Sequence, residues 1–425
     1  MLKILAIISL ICININFISF SSVNTQKKSM KTKKTATKKA SAKDAILKES
    51  TPEASIQKIL STKSVLNFVN HYKTKESSIN SIYFISKEGN GILKDSSGYR
   101  NFENKELLRT DEQMPIASGT KTMTSALILK LKEAGLLELS DPISKFLNDK
   151  SYYWGGKMPE WADDVTIHHL LTHSSGISEY LGQIKVDIKA NQRALNKIIL
   201  THIAQKPLEF NPGDKYSYNN SGYVILGLIL EQVHQKKLSK VFYDEIFKPL
   251  NMKNSRVADI KEAIAYNSNE LAQYPTRYFV SDDQAHGTIL TKIKTPIMLI
   301  PNGDGGVISS IDDLNIWAQS LHFQGFLNEE SYKLMTTVHI EDKENKNGNI
   351  GYGIYIRKLA NGKTVYQHGG NAIGIRSEIG VIKEDKVSIV MLSNVQKIKN
   401  KCNSHKCNLD VEDFNYKLIN HLSEY

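Results

Sequence analysis

The sequence predicts an α+β (α/β) domain, an antiparallel β-sheet flanked by helices with an all-helical subdomain inserted into it. Three observations carry this reading. Two β-rich arms near the N-terminus flank Glu88-Gly-Asn-Gly91, a stretch with turn chemistry. A long run of helical periodicity follows. The last third is β-rich again and closes with one more helical pattern. A sheet assembled from both ends of the chain, with a helical insert between, accommodates this order. The chain has 425 residues, too long for one small core, and no internal repeat.

The elements follow in order. Ile56 to Tyr72 carries Ile59, Leu60, Leu66 and Val69 at helical spacing. Ser81 to Ser86 reads as a strand and Ile92 to Tyr99 as its hairpin partner. Met114-Pro-Ile-Ala117 then leads into a helix whose apolar stripe is Met123, Ala126, Leu127, Leu131 and Ala134, with Gly135 where a C-terminal cap belongs. Asp141-Pro142 signals another helix start. Thr166 is placed to cap a helix through Leu171, which Ser174-Ser-Gly176 breaks. Ser221 starts an apolar helix over Tyr223 to Val233. Leu238 to Phe247 makes another, stopped by Pro249. Tyr352 to Arg357, Thr364 to Gln367, Ile375 to Val381 and Val387 to Leu392 are short and β-rich, and Asn361-Gly362 is a hairpin signal. Val411 to Leu422 looks helical. The helical insert is placed at roughly 136–300, within a domain spanning 56–425.

The N-terminus reads differently. Lys3 precedes an apolar run from Ile4 to Ile13, and Ser19 and Ser21 offer a cleavage site, which is the layout of a secretory signal peptide over residues 1–21. An uncleaved anchor is the alternative. Cys12 lacks the small residue that usually precedes a lipidated cysteine. Residues 22–55 form a Lys-rich linker that cannot bury enough apolar surface to fold. The formal net charge of +11 sits mostly here: the first 50 residues hold ten lysines against Asp44 and Glu49, and residues 51–425 carry 45 basic against 42 acidic groups. Charge confined to a tail argues against a nucleic-acid partner. A plain solvated tether, or weak contact with a membrane surface or wall polymer, accounts for it. The location expected is periplasmic or secreted.

Loss of the signal removes Cys12 and leaves Cys402 and Cys407. With four residues between them in a polar loop, they suit a small disulfide in an oxidising compartment. Free thiols, or a metal site with His405, are the alternatives, although two cysteines and one histidine are an incomplete ligand set.

Three short patterns carry chemistry. Ser118-Gly-Thr-Lys121 places a hydroxyl and an amine on one face of a helix start. Serine is a weak nucleophile until a base takes its proton, and a buried lysine is lowered enough to serve. Ser55-Ile-Gln-Lys58 has the same spacing but adjoins the linker, with no such helix behind it. Tyr218-Asn219-Asn220 stands just before a helix. His368-Gly369-Gly370 follows a β-rich segment, where an ordinary tight turn would read the same. His169 and His173 at i and i+4 have a metal-like spacing but lack the adjacent glutamate of zinc peptidases, so no metal and no cofactor is expected. His168 is expected at the surface.

Together and in this order, the three patterns resemble those of the penicillin-recognising serine hydrolases, in the branch of class C β-lactamases, D-alanyl-D-alanine carboxypeptidases and esterases. The resemblance runs from about Ser81 to Ser393. It includes Leu129 to Asp141, Thr166-Ile-His-His-Leu-Leu-Thr-His-Ser-Ser-Gly176, Tyr218 to Tyr223, Gly305-Gly-Val-Ile-Ser309 with Asp313, and Gly351-Tyr-Gly353. It implies a β-lactamase/transpeptidase-like fold and an acyl-enzyme on Ser118. By that resemblance, Lys121 and Tyr218 share the proton work, with Tyr218 kept acidic by nearby positive charge. Asn220 bonds the substrate amide. His368 stands where the family often has lysine, near Tyr218 and the substrate carboxylate. Gly369 and Gly370 let a strand edge approach the substrate. The backbone N–H groups of Ser118 and Asn371 form the oxyanion hole. A histidine in the third pattern turns the expectation from antibiotic destruction toward peptide, amide or ester hydrolysis. The substrates expected are a cell-wall peptide, a β-lactam or an ester. A non-catalytic penicillin-binding or wall-scaffolding protein on the same fold is the competing reading.

Overall fold

The computed structural model describes residues 63–71, 80–148, 152–184, 191–267, 273–283, 287–292, 300–342, 348–397 and 411–424. All of them lie in the compact unit Glu53–Tyr425. The signal-like segment, the Lys-rich linker, Ser55, Lys58, Cys402, His405 and Cys407 fall outside the described residues.

A seven-stranded antiparallel sheet organises the domain. Across it run Asn349–Ile350, Tyr355–Lys358, Thr364–Ala372, Ile375–Ile382, Val387–Ser393, Ser81–Lys87 and Asn90–Ser97. The N-terminal hairpin therefore joins the C-terminal meander, with Tyr83 opposite Met391 and Ile85 opposite Ile389. This is the sheet built from both chain ends that the sequence predicts.

Alternation along the strands splits the core in two. Tyr83, Ile85, Ile389 and Met391 face one cluster with Val65, Val69, Phe414, Leu418 and Ile419. These come from the helix at 63–71 and the helix Val411–Ser423. Ile82, Val390 and Leu392 face the other, larger cluster with Met123, Leu127, Leu170, Tyr223 and Trp317. That second side holds the helices Thr120–Glu133, Ile167–Leu171, Asn220–His234 and Ile311–Phe323.

The predicted helix signals act locally as expected. Thr166 caps Ile167–Leu171 and His169 completes a capping box. Gly135, at φ +66°, follows the C-cap Ala134. The cap of Asn220–His234 is Asn219, whose side chain accepts from Gly222 N–H at 2.8 Å, rather than Ser221. Leu238–Phe242 is α-helical and passes into a π-turn over Tyr243–Phe247.

One expectation is corrected. The insert is not all-helical, because Tyr278–Asp283 and Gly287–Lys292 pair as an antiparallel hairpin and Val395–Lys397 adds to it in parallel. Aromatic and β-branched residues in Tyr278-Phe-Val280 and Thr288-Ile289 favour extended backbone there. No helix among the described residues is long and apolar enough to cross a membrane.

Candidate active site

Ser118 sits on a single 3₁₀ turn, Ala117–Gly119, that leads directly into Thr120–Glu133. Ala117 is held at φ +44°, a left-handed conformation unfavourable for a residue with a Cβ. The surroundings fix it. Ile116 N–H donates to Val307 O at 2.9 Å, and Ile116 O accepts from Gly119 N–H at 3.0 Å and from Ser377 Oγ at 2.7 Å. The strand bearing His368 closes over this turn. A Cβ on Gly370 would lie 1.9 Å from the Ile116 carbonyl oxygen, a backbone atom that cannot swing aside, so only glycine permits the approach. Gly369 faces the Glu378 carboxylate, and Asn371 pairs across the ladder with Arg376.

Lys121 is completely buried. Its Nζ donates to Ser118 Oγ at 3.1 Å, Asn220 Oδ1 at 2.8 Å and the Asp304 carbonyl at 2.7 Å. Three acceptors exhaust the three hydrogens of an ammonium. Burial lowers Lys121 to about 8, against the raising fields of Asp304 and Glu179. The ammonium also stands over the Tyr218 ring, 5.0 Å from its centroid.

Among the influences on the Tyr218 phenol, the Ser118 hydroxyl favours the charged form. Burial drives its acidity down, not up: desolvation is the largest influence, and Asp304 and Glu179 add to it. The expectation of an acidic tyrosine is therefore corrected. Tyr218 keeps its proton because burial and the charges of Asp304 and Glu179 disfavour the phenolate. His173 stacks on it at 4.5 Å between centroids and accepts Asn219 N–H at Nδ1, 3.0 Å. His169 accepts Thr166 N–H at Nδ1, 3.2 Å. The two histidines at helical spacing thus serve separate backbone anchors. His168 is half-buried and bonded to the Tyr352 hydroxyl at 2.8 Å, which corrects its expected exposure. Tyr352 comes from another part of the chain, and that contact is invisible locally.

His368 is buried and lies 6.5 Å from Tyr218, ring centroid to centroid. Its Nδ1 contacts the Gly369 carbonyl at 2.8 Å. A carbonyl only accepts, so Nδ1 carries the hydrogen and Nε2 is left as an acceptor. Burial, then Lys121, push His368 down to about 3, so it is neutral above acidic pH. Asn220 bridges Lys121 and Glu179: its backbone N–H and Nδ2 donate to Glu179 Oε2 at 2.6 and 3.2 Å. One Nδ2 hydrogen remains for a substrate.

Ser118, Lys121, Tyr218, Asn220 and His368 are thus brought together from three segments, with Gly370 beneath the Ser118 turn. Sequence reasoning missed Glu179, Tyr180 and Asp304. The only local signal was a lone acid, Asp304, directly before the glycine pair of Gly305-Gly-Val-Ile-Ser309.

Comparison with known proteins gives consistent results. A family model described as Beta-lactamase matches residues 72–403. The chain is 26% identical to penicillin-binding protein 4* of Bacillus subtilis over 318 residues, 73% of this chain and 67% of that protein. It is 26% identical over 342 residues to Protein flp of Staphylococcus aureus, covering 79% of this chain and 62% of the relative, so it spans less than two thirds of that protein's length. Among solved structures, D-amino acid amidase from Ochrobactrum anthropi SV3 in complex with D-phenylalanine superposes with TM-score 0.67 at 18% identity, covering 86% of this chain and 98% of that one.

Proposed function

The chain belongs to the beta-lactamase family, and on that premise we propose that it is an exported serine hydrolase acting through an acyl-enzyme on Ser118. The observation that carries the reading is the contact set of Lys121. Asn220 Oδ1 and the Asp304 carbonyl can only accept. When Lys121 is neutral, its two hydrogens go to them and its lone pair faces Ser118 Oγ. The amine is then oriented to take the serine proton and nothing else. With Lys121 lowered to about 8, the neutral amine is far more accessible at neutral pH than for an exposed lysine.

The steps follow from that inventory. Ser118 Oγ attacks the carbonyl carbon as its proton passes to Lys121. The oxyanion is received by backbone N–H groups, with Ser118 and Asn371 as the proposed pair. Loss of one such donor typically costs on the order of 100- to 1,000-fold in rate. The leaving group takes a proton from the phenol of Tyr218, which burial keeps protonated, and Lys121 restores it. Water then cleaves the acyl-enzyme by the reverse relay.

The substrate proposed is an amide, peptide or ester that does not depend on a free carboxylate at the third pattern. A neutral His368 with an acceptor nitrogen offers no positive charge there. Gly369 and Gly370 would let the strand edge run along the substrate, and Asn220 would give it one N–H.

Mass spectrometry after exposure to a fluorophosphonate and to a reactive penicillin tests the reading. An adduct on Ser118, absent in Ser118→Ala, is the expected result. Absence of any Ser118 adduct with either probe would leave the non-catalytic scaffold as the better account. Amide substrates with and without a terminal carboxylate test the finer claim, which fails if the carboxylate raises kcat/KM tenfold.

A further inference from the structure

The Asp304 carboxylate has no role in the steps above, yet its position is unusual. The residue is only 7% exposed and sits in the segment that crosses between two helices of the site. Thr124 Oγ1 donates to Gly303 O at 2.6 Å, and Val307 N–H donates to Thr120 Oγ1 at 3.2 Å. Gly303 packs against Gly227 so closely that a Cβ on it would lie 3.1 Å from that Cα. The segment is pinned, and its carboxylate cannot turn out to water.

Inside, Asp304 Oδ2 accepts from the Tyr180 hydroxyl at 2.7 Å. Oδ1 has no hydrogen-bond partner among the described residues. Tyr180 is itself buried. An aspartate in such a place is costly to keep, and an asparagine or alanine would suffice for packing. What distinguishes the aspartate is charge. The groups around it are Lys121 on Thr120–Glu133, Tyr180 and Glu179 after Ser178, and Tyr218 before Asn220–His234. Each of Lys121, Tyr180 and Tyr218 has its proton held more tightly by the Asp304 charge. His173 and His368, both held neutral by burial, also feel the Lys121 charge.

We propose that Asp304 is a positioning residue whose buried charge, held by the Tyr180 hydroxyl, sets the proton affinity of Lys121 and hence the pH at which Ser118 becomes nucleophilic. The proposal rests on Lys121 being the base. The same residue acts twice: its carbonyl orients the amine and its carboxylate tunes it. Burial drives Lys121 down, and Asp304 limits the fall. Asp304 is itself raised to about 6 by burial, so it is ionised across the range where Lys121 titrates.

The test is the second-order rate of fluorophosphonate labelling at Ser118 as a function of pH. It needs no knowledge of the natural substrate. Asp304→Asn removes the charge and keeps the shape. The ammonium is then less favoured, so the ascending limb is expected to move to lower pH by about one unit. Tyr180→Phe keeps the carboxylate but removes its donor, which makes Asp304 easier to protonate and shifts the limb the same way by less. It also covers the case in which Asp304→Asn does not fold, judged by circular dichroism. A folded Asp304→Asn whose labelling falls equally at every pH, with the limb unmoved, overturns the proposal. So does an unmoved limb in Tyr180→Phe when Asp304→Asn fails to fold. Lys121→Ala separates the two claims. Labelling at the wild-type rate there refutes the base itself, whereas loss of labelling there with an unmoved limb in Asp304→Asn refutes Asp304 alone.

Discussion

The two faces of the seven-stranded sheet are held by different physics. The outer face packs Tyr83, Ile85, Ile389 and Met391 against Phe414, Leu418 and Ile419. Burial of apolar area holds it, a term that is non-directional and insensitive to pH. On the inner side, the same sheet leads to a pocket with a buried lysine, a buried aspartate and buried histidines. Each of these loses hydration and is kept by a short list of directed contacts. One face tolerates imprecision, whereas the other stores electrostatic cost where chemistry needs it. The difference teaches that apolar packing and buried charge are kept on opposite faces of one sheet.

Three changes sharpen or break that contrast. The largest effect is expected from Lys121→Ala, which removes the amine that Ser118, Asn220 and Asp304 converge upon. Steady-state hydrolysis should fall by about 1,000-fold or more while the circular dichroism spectrum is kept. Retained activity would mean that the inner face holds its charge for structure alone. Leu418→Ala, on the outer face, is expected to cost about 2–5 kcal/mol in denaturant unfolding. Its kcat/KM per folded molecule should stay within about twofold. A large kcat/KM loss there would show that the faces are coupled. The smallest effect concerns pH. Lys121, lowered to about 8, should give kcat/KM an ascending limb centred near that value. His368, lowered to about 3, should give no limb between pH 5 and 7, and His368→Gln should leave the limb within about half a unit. A limb near 6.5 that disappears in His368→Gln would assign the titration to His368 instead.

Much of this architecture is legible in the residues. Strand alternation at Tyr83 and Ile85, the apolar stripe of Met123 and Leu127, and the Thr166 cap are short-range patterns, and the structure reproduces them. Helical periodicity dominates the first half of the insert, which is why the sequence predicts helix throughout it. The hairpin Tyr278–Asp283 with Gly287–Lys292 escaped notice because short β-rich runs carry little periodicity. The site was legible only where it forms ordered patterns: Ser118 with Lys121, Tyr218 with Asn220, His368 with its glycines. Glu179 and Tyr180 lie in a loop without a motif, and their partners Asn220 and Asp304 are distant in sequence.

The sequence by itself determined the family, the sheet shared by the N-terminal hairpin and the C-terminal meander, and the residue types that meet at Ser118. Only the tertiary structure decided their protonation. Tyr218 keeps its proton, His368 is neutral with Nε2 as acceptor, Lys121 is lowered and Asp304 raised. The physical reason is that proton affinity depends on desolvation and on nearby charges, and those neighbours are set by distant chain segments, 183 positions apart for Lys121 and Asp304. Periodicity and spacing act along the chain, whereas the electrostatics of the pocket act across it.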